Sequence, residues 1–454
     1  MNCVKKRLCI LTPLSDLGQL ASLGGEAVFS AVAGSSLKGR GGEGFPVSEK
    51  WRLLTESKGE KELVALLSGA RAAALMQENP EAVYAGTALA ARAFGIKSAW
   101  LAHDAELGGF PEEYMGVAFR PVSIGRTLSS GEETRVFAAI DGGLPLSRTQ
   151  PPYPTEKGVF GRPTLIHSAE LLAHIPYLLA GCDADTALVS VSGAVRASGV
   201  YEVPAGAPIS DILSGALCGE LKGVQVGGEN GAFLNREKLG TPFNCRALEA
   251  AGAFMGDGSL RALPSGTCVA QELCTALRAA YPASCGKCVF CREGLYQLYL
   301  LVRDLTAGRA SDEDLALIRD IAQVTAEAAA CGHGRRSARM VLSALDGFAE
   351  EMVQHARRRC PELACPGMFT VHILGEKCSG CGACLKRCPA GAVAGGAGLI
   401  HVIDQQRCTQ CMECLPCPAD AIVRAGLLKP AGPERPVLVG SFASKKKGLQ
   451  KRMQ

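Results

Sequence analysis

The stretch from Cys378 to Cys417 limits what this chain can be more than any other part of it. It reads Cys378-Ser-Gly-Cys381-Gly-Ala-Cys384-Leu-Lys-Arg-Cys388-Pro389, then Cys408-Thr-Gln-Cys411-Met-Glu-Cys414-Leu-Pro-Cys417-Pro418. Eight cysteines fall in two groups of four, each closed by Cys-Pro, and the second group has two residues rather than three before its last cysteine. Thiolates at this spacing on tight turns can all point at one iron–sulfur cube. Zinc ligation and disulfides are the competing readings, and two successive triple Cys-x-x-Cys ladders match either poorly. The spacing points to a chain that carries electrons.

The stretch resembles a bacterial two-cluster ferredoxin module over about Phe369 to Arg424. In that module the fourth cysteine of each group ligates the other cluster. The resemblance therefore implies one 4Fe–4S cluster on Cys378, Cys381, Cys384 and Cys417, and another on Cys408, Cys411, Cys414 and Cys388.

At 454 residues the chain has room for about three domains. A net charge of +4 is too small at this length to argue for nucleic acid, and no apolar run reaches the ~18 residues of a membrane span. The opening Met1-Asn2-Cys3-Val4-Lys5-Lys6-Arg7 has only a short apolar follow-on and reads as no signal peptide. In a long chain of this kind, 21 cysteines point to metal in a reducing compartment, so the expected location is cytoplasmic.

The expected architecture is α/β and α+β multidomain. Residues 1–180 read as an α/β domain, 181–245 as a small β-rich module, and 246–356 as a helical bundle. A linker with a Cys pair at 357–368 leads to the ferredoxin-like domain at 369–426 and a basic tail at 427–454. Thr186 to Gly193 and Gly199 to Pro204 alternate as short strands, and Ile209 to Leu217 reads as a brief helix. Cys182, Cys218 and Cys245 are expected as buried small hydrophobes, and Cys268 and Cys274 as core.

In the bundle, Ser284-Cys285-Gly-Lys287-Cys288-Val-Phe-Cys291-Arg292 places three thiolates before a helix carrying Leu295, Leu298, Val302 and Leu305. Ser311 reads as an N-cap followed by an acidic turn, opening a helix expected to run to Cys331. Cys331 at that helix's C-terminus could meet Cys285, Cys288 and Cys291 around a 4Fe–4S cube, with zinc as the alternative. Lys287 and Arg292 place positive charge nearby, which favours the reduced cluster. In the linker, Cys360 and Cys365, with His355 and His372 close in sequence, read either as plain thiols or as a partial site for zinc or another metal.

Near the start, Leu37-Lys38-Gly39-Arg40-Gly41-Gly42-Glu43-Gly44 precedes Lys50, and Gly131-Glu132-Glu133 lies further on, followed by Tyr153. Closely spaced glycines let backbone N–H groups approach a phosphate, with Arg40 and Lys50 supplying charge. With the Ser-Cys-Gly-Lys-Cys-x-x-Cys run, these segments resemble the flavin- and NADH-binding subunit of bacterial complex I. Soluble bifurcating hydrogenases and NAD-linked formate dehydrogenases contain relatives of that subunit, and the resemblance runs from about Gly34 to Arg424.

The resemblance implies a flavin-domain-like α/β unit, a β-grasp module and a cluster-bearing bundle. It also implies FMN cradled by Gly39, Arg40, Gly41, Gly42, Gly44 and Lys50 and framed by Gly131, Glu132 and Glu133, with Tyr153 near the nicotinamide.

This chain departs from that family. The stretch Leu63 to Ala74 has no acidic loop, paired asparagines are missing near His167, Leu128 replaces a tyrosine, and Glu43 sits in the Gly-rich loop. Two readings follow. In one, FMN binds in an altered mode; in the other, the domain keeps the fold without the cofactor. No catalytic side chain stands out. The expected function is electron relay through three 4Fe–4S clusters in a multi-subunit redox complex; the alternative is its FMN-dependent NAD(P)H dehydrogenase (diaphorase) subunit. Expected partners are other redox subunits and ferredoxin. No extra N-terminal thioredoxin-like domain is read, so electrons on that side are expected to pass to or from another polypeptide.

Overall fold

The computed structural model describes residues 9–14, 17–40, 42, 44–104, 107, 109–182 and 185–442. They divide into two compact units, Met1–Thr267 with Leu273–Leu300 and Leu317–Ala349, and Cys268–Glu272 with Leu301–Ala316 and Glu350–Gln454.

The first unit contains two five-stranded sheets. One is built from β1 (Glu62–Leu67), β2 (Ser98–His103), β3 (Glu113–Tyr114), β4 (Val117–Ser123) and β5 (Thr164–Ser168), in the order β3-β4-β2-β1-β5. Four of these strands run parallel, and only β3 at the edge is antiparallel. β1 is nearly continuous apolar sequence because a parallel strand is covered on both faces. Two helices, Pro80–Ala93 and Ala169–Leu179, pack closely in this unit. A Cβ on Gly86 would sit 1.8 Å from the carbonyl oxygen of Leu172, so only glycine permits their approach.

The second sheet comprises β6 (Thr186–Gly193), β7 (Gly199–Pro204), β8 (Leu221–Val226), β9 (Ala232–Asn235) and β10 (Ser259–Pro264), ordered β7-β6-β10-β8-β9. β6 and β7 span the residues that alternation indicates. The helix between β7 and β8, Ile209–Ser214, is shorter than the sequence suggests. The span from 246 onward is not helical throughout. β10 lies inside it, where Leu260 and Ala262 alternate with Ser259 and Arg261 and pair with β6 and β8. Cys182 and Cys218 are exposed and Cys245 is half-buried, so none of the three is a core residue. They sit in turns or at a helix start, where the chain is at the surface.

The four apolar residues expected on the helix Val289–Thr306 are all buried. Ser311 caps the helix Asp312–Ala328, accepting from the Asp314 N–H at 3.4 Å while the Asp314 carboxylate accepts from Ser311 N–H at 2.8 Å. That helix stops at Ala328, short of Cys331. Cys331 is instead the N-cap of the next helix, Gly332–Gly347, in extended geometry (φ −139°, ψ 170°). A short helix, Ala349–Ala356, follows after a break at Phe348.

In the second unit, β11 (Thr370–Ile373) pairs antiparallel with Ile422–Ala425, joining the two ends of the ferredoxin-like region. Val393–Ala394 pairs with Val402–Ile403 between the cysteine groups. The two groups share one backbone trace. Gly380, Gly382 and Gly391 have φ of 70°, 73° and 55°, and the matching positions Gln410, Met412 and Asp420 have φ of 57°, 64° and 45°. Left-handed backbone at non-glycine residues is strained and persists where the surroundings impose it. Among the described residues no helix is long and apolar enough to cross a membrane.

Candidate metal centres

In the first unit, Cys285, Cys288, Cys291 and Cys331 line one small cavity together with Lys287, Ser129, Arg135, Ser147 and His333. Cys285 and Cys288 come from the loop before the helix Val289–Thr306, Cys291 from its first turn, and Cys331 from the N-cap of Gly332–Gly347. Burial pushes Cys291 up to about 12, with the Cys288, Cys331 and Cys285 sulfurs adding to it. Burial also acts to raise Cys285, but the N–H of Lys287, Ser147 and the Arg135 charge together bring it below the ordinary thiol range. His333 donates to the Ala280 carbonyl at 3.0 Å, and burial lowers its pKa to about 4, so it is neutral.

In the second unit, Cys388, Cys408, Cys411 and Cys414 line a second cavity. Burial raises Cys414, and the sulfurs adding to it are Cys408, Cys411 and Cys388. Burial raises Cys384 to about 11, with Cys378 and Cys417 adding. Cys381 is exposed and its pKa is lowered, chiefly by the Ala383 N–H. His401 is buried, its Nδ1 3.7 Å from Cys378 Sγ and its Nε2 without a partner.

A third constellation in the same unit has different dimensions. Cys268, His355, Cys360 and Cys365 are all buried, with their donor atoms within 4.8 Å of one another. Cys268 Sγ lies 3.2 Å from His355 Nε2 and 3.4 Å from Cys365 Sγ, and His355 Nε2 is 3.3 Å from Cys365 Sγ. The other imidazole nitrogen, Nδ1, is held by the Glu351 carbonyl at 2.8 Å. Contacts with Cys268 and Cys365 pull the Cys360 thiol far down, while those with Cys360 and Cys365 push Cys268 up. The sequence points to Cys360, Cys365 and His355 but not to Cys268, which reads as core, since nothing local links it to residues about ninety positions away. His372, the other nearby histidine, is not part of the site; its Nε2 is 2.7 Å from Thr370 Oγ1.

The Gly-rich region is different again. Gly41 and Glu43 lie outside the described residues. Gly39 N–H donates to the Phe45 carbonyl at 2.9 Å, closing the loop on itself, Gly42 is exposed, and Gly44 has φ 68°. Arg40 pairs with Asp185 at 3.1 Å. Lys50 Nζ bonds the Ile166 carbonyl at 2.9 Å and Glu133 at 3.3 Å. Glu132 caps the helix Glu133–Ile140, accepting from Arg135 N–H at 3.1 Å, and Gly131 lies against Ser68.

Arg71, in the stretch without the acidic loop, forms a buried pair with Glu170 and donates to the Arg40 carbonyl at 3.0 Å. Its guanidinium packs so closely that a Cβ on Gly258 would lie 2.4 Å from Cζ. Tyr153 is exposed and donates its N–H to Glu156. Two buried nitrogens here, Arg40 Nε and His174 Nε2, have no partner.

Residues 273–355 match the NADH-ubiquinone oxidoreductase-F iron-sulfur binding region, and residues 371–394 match a 4Fe-4S binding domain. The chain thus carries an iron–sulfur binding region of the NADH-ubiquinone oxidoreductase-F kind and a separate 4Fe-4S binding domain. It is 27% identical over 411 residues to the NADP-reducing hydrogenase subunit HndC of Solidesulfovibrio fructosivorans, covering 81% of this chain and 84% of that one. It is 28% identical over 373 residues to a subunit of the NADH-quinone oxidoreductase of Streptomyces coelicolor, covering 73% and 83%.

Against the NAD-reducing hydrogenase HoxS subunit alpha of Cupriavidus necator it is 25% identical, covering 75% of this chain but only 63% of that protein. The fold resembles a chain of an NAD+-reducing [NiFe]-hydrogenase, with TM-score 0.67 and 24% identity over 76% of this chain and 65% of that one. The chain is thus a mixed α/β multidomain protein with 4Fe–4S binding domains.

Proposed function

We propose that the chain is an electron-transfer subunit of a multi-subunit redox complex in the cytoplasm, carrying three 4Fe–4S clusters and one structural zinc. Cys285, Cys288, Cys291 and Cys331 would hold the first cluster. Cys378, Cys381, Cys384 and Cys417 would hold the second, and Cys408, Cys411, Cys414 and Cys388 the third. The observation that carries this is the company each thiol keeps: Cys388 lines the cavity of the second motif, and Cys417 presses on Cys384 of the first. Such clusters accept and release single electrons.

The protein's own residues do the rest. They supply twelve thiols, keep water away from Cys291, Cys378 and Cys384, and put Lys287 beside the first site. The β-rich second sheet fits a β-grasp packing module, and the first sheet a flavin-domain-like scaffold. The relatives' assembly into hydrogenases and quinone oxidoreductases supports redox subunits, with ferredoxin a further candidate, as the partners here.

Zinc suits Cys268, Cys360, Cys365 and His355 because their donor atoms are too close for a cubane and match a Cys₃His tetrahedron. The Glu351 carbonyl fixes the imidazole so that Nε2 faces the thiols.

The Gly-rich region fits FMN poorly, because Gly39, Lys50 and Arg71 already spend their donors within the protein. The alternative, an FMN-bearing diaphorase subunit, draws on one observation, the unpartnered Arg40 Nε at that loop. Anaerobic purification with metal and flavin analysis separates the two. The relay reading expects about twelve irons, one zinc and no flavin. Stoichiometric flavin moves the assignment to the diaphorase, about four irons removes the ferredoxin assignment, and zinc surviving Cys268→Ser removes the zinc site.

A further inference from the structure

We propose that Arg135 and Ser147, neither of them in a cysteine motif, donate to the cluster held by Cys285, Cys288, Cys291 and Cys331 and raise its reduction potential. This rests on the reading of those four cysteines as cluster ligands. A buried polar atom without a partner is costly, so such atoms are few and each calls for an explanation. Three of those among the described residues, Arg135 Nε, Ser147 Oγ and His333 Nδ1, belong to side chains lining this one cavity.

Their roles differ. His333 spends its Nε2–H on the Ala280 carbonyl, so it has no second N–H fixed toward the cavity by that contact. Arg135 is a cation held in place by its own contacts. Its Nη1 donates to Ser129 Oγ and to the Ala283 carbonyl at 3.4 Å, which lies just before the Ser284-Cys285 loop. Ser129 Oγ is itself anchored on the Ala283 carbonyl at 2.6 Å. The guanidinium is therefore fixed against the cluster loop with Nε–H unspent. Ser147 is 2% exposed, and its hydroxyl has an O–H to give. Sulfide and thiolate sulfurs are the acceptors that would take both hydrogens.

The energetic sign is simple. Reduction adds one electron, and so one negative charge, to the cluster. A buried cation and an O–H donor stabilise that charge more than the oxidised state, which moves the potential up. The cation within the motif is placed less well. Arg292 has its side chain 51% exposed and directs Nε to Glu293 at 2.9 Å and Nη1 to the Gly286 carbonyl at 2.9 Å. Water and its own carboxylate screen it. Arg135, on a helix far from the motif in sequence, is the stronger influence.

The test is a redox titration of the intact chain, purified anaerobically with its clusters and followed by low-temperature paramagnetic resonance. The signal of this cluster is assigned as the one missing from Cys331→Ser. Arg135→Gln should make reduction about tenfold less favourable, 59 mV for one electron. Arg135→Lys should recover part of that shift, Ser147→Ala should move the potential the same way by less, and Arg292→Gln should move it less than Arg135→Gln. An intact signal with an unmoved potential in Arg135→Gln overturns the proposal. If that variant loses the cluster, unmoved potentials in both Arg135→Lys and Ser147→Ala overturn it equally. A wild-type protein short of four irons, with no signal lost in Cys331→Ser, instead overturns the ligand reading and this proposal with it.

Discussion

The Gly-rich region and the Cys285 cavity both lie in the first unit, and both are marked by a motif, yet their polar groups are in opposite states. Around the Gly-rich loop three donors suited to a phosphate are spent within the protein. Lys50 is taken by Ile166 and Glu133, Arg71 by Glu170 and the Arg40 carbonyl, and Gly39 N–H by Phe45. Around the cysteine cavity, four thiols gather beside an Arg135 N–H and a Ser147 hydroxyl that no nitrogen or oxygen of the protein takes up. The first region is held by its own ion pairs, whereas the cavity keeps the Arg135 Nε and the Ser147 hydroxyl unspent. Sequence motifs alone do not separate the two; the partner of each polar atom does.

The largest expected effect breaks the cysteine side of this contrast. Cys288→Ser should remove about four irons and one paramagnetic signal while leaving the two ferredoxin-like signals intact. Loss of all three signals together would mean the clusters are not held separately.

On the other side, Glu170→Gln should strand the buried Arg71 cation and destabilise the protein by roughly 3–5 kcal/mol in chemical denaturation. A change below ~1 kcal/mol would show that the Arg71–Glu170 pair is not what closes the region.

Acid should weaken the same region. Burial, with the Arg40 charge adding, lowers His174 to about 3, below its ordinary 6.5. A base whose folded pKa is depressed takes up protons on unfolding as pH falls through 6.5, so stability is full above that value and falls steadily toward pH 3. The slope contributed by His174 approaches ~1.4 kcal/mol per pH unit. Comparing unfolding midpoints of wild type and His174→Leu between pH 7 and 5 isolates it, and parallel curves would refute the buried neutral imidazole.

The smallest expected effect is none at all. Saturating FMN should leave the melting temperature unchanged, whereas a ligand at about a hundred times its Kd adds ~2.7 kcal/mol. A clear rise would reopen the Gly-rich loop as a flavin site.

Much of this is legible in the sequence. The strands β6 and β7, the cap at Ser311 and the buried face of Val289–Thr306 follow from local pattern, and the structure places them there. β10 escapes a reading by pattern although its alternation is visible, because the helices that follow dominate the stretch. Cys331 reads as a helix C-terminus and is an N-cap instead, because the break after Ala328 carries no proline and the helical pattern runs on. Gln410 and Met412 adopt a left-handed backbone that the first cysteine group reaches with glycines. Their identities give no hint of it, since the geometry is imposed by the turn rather than preferred by the residue.

By itself the sequence marks the thiols of each Cys-x-x-Cys ladder, because spacing on a tight turn is a local property written in consecutive residues. Only the tertiary structure decided which distant groups join them. Cys268 reaches His355, Cys360 and Cys365, Arg135 and Ser147 reach the bundle cavity, and Arg71 closes against Glu170. Those meetings depend on which faces are buried together, and burial is a sum over the whole fold that no short stretch of chain contains.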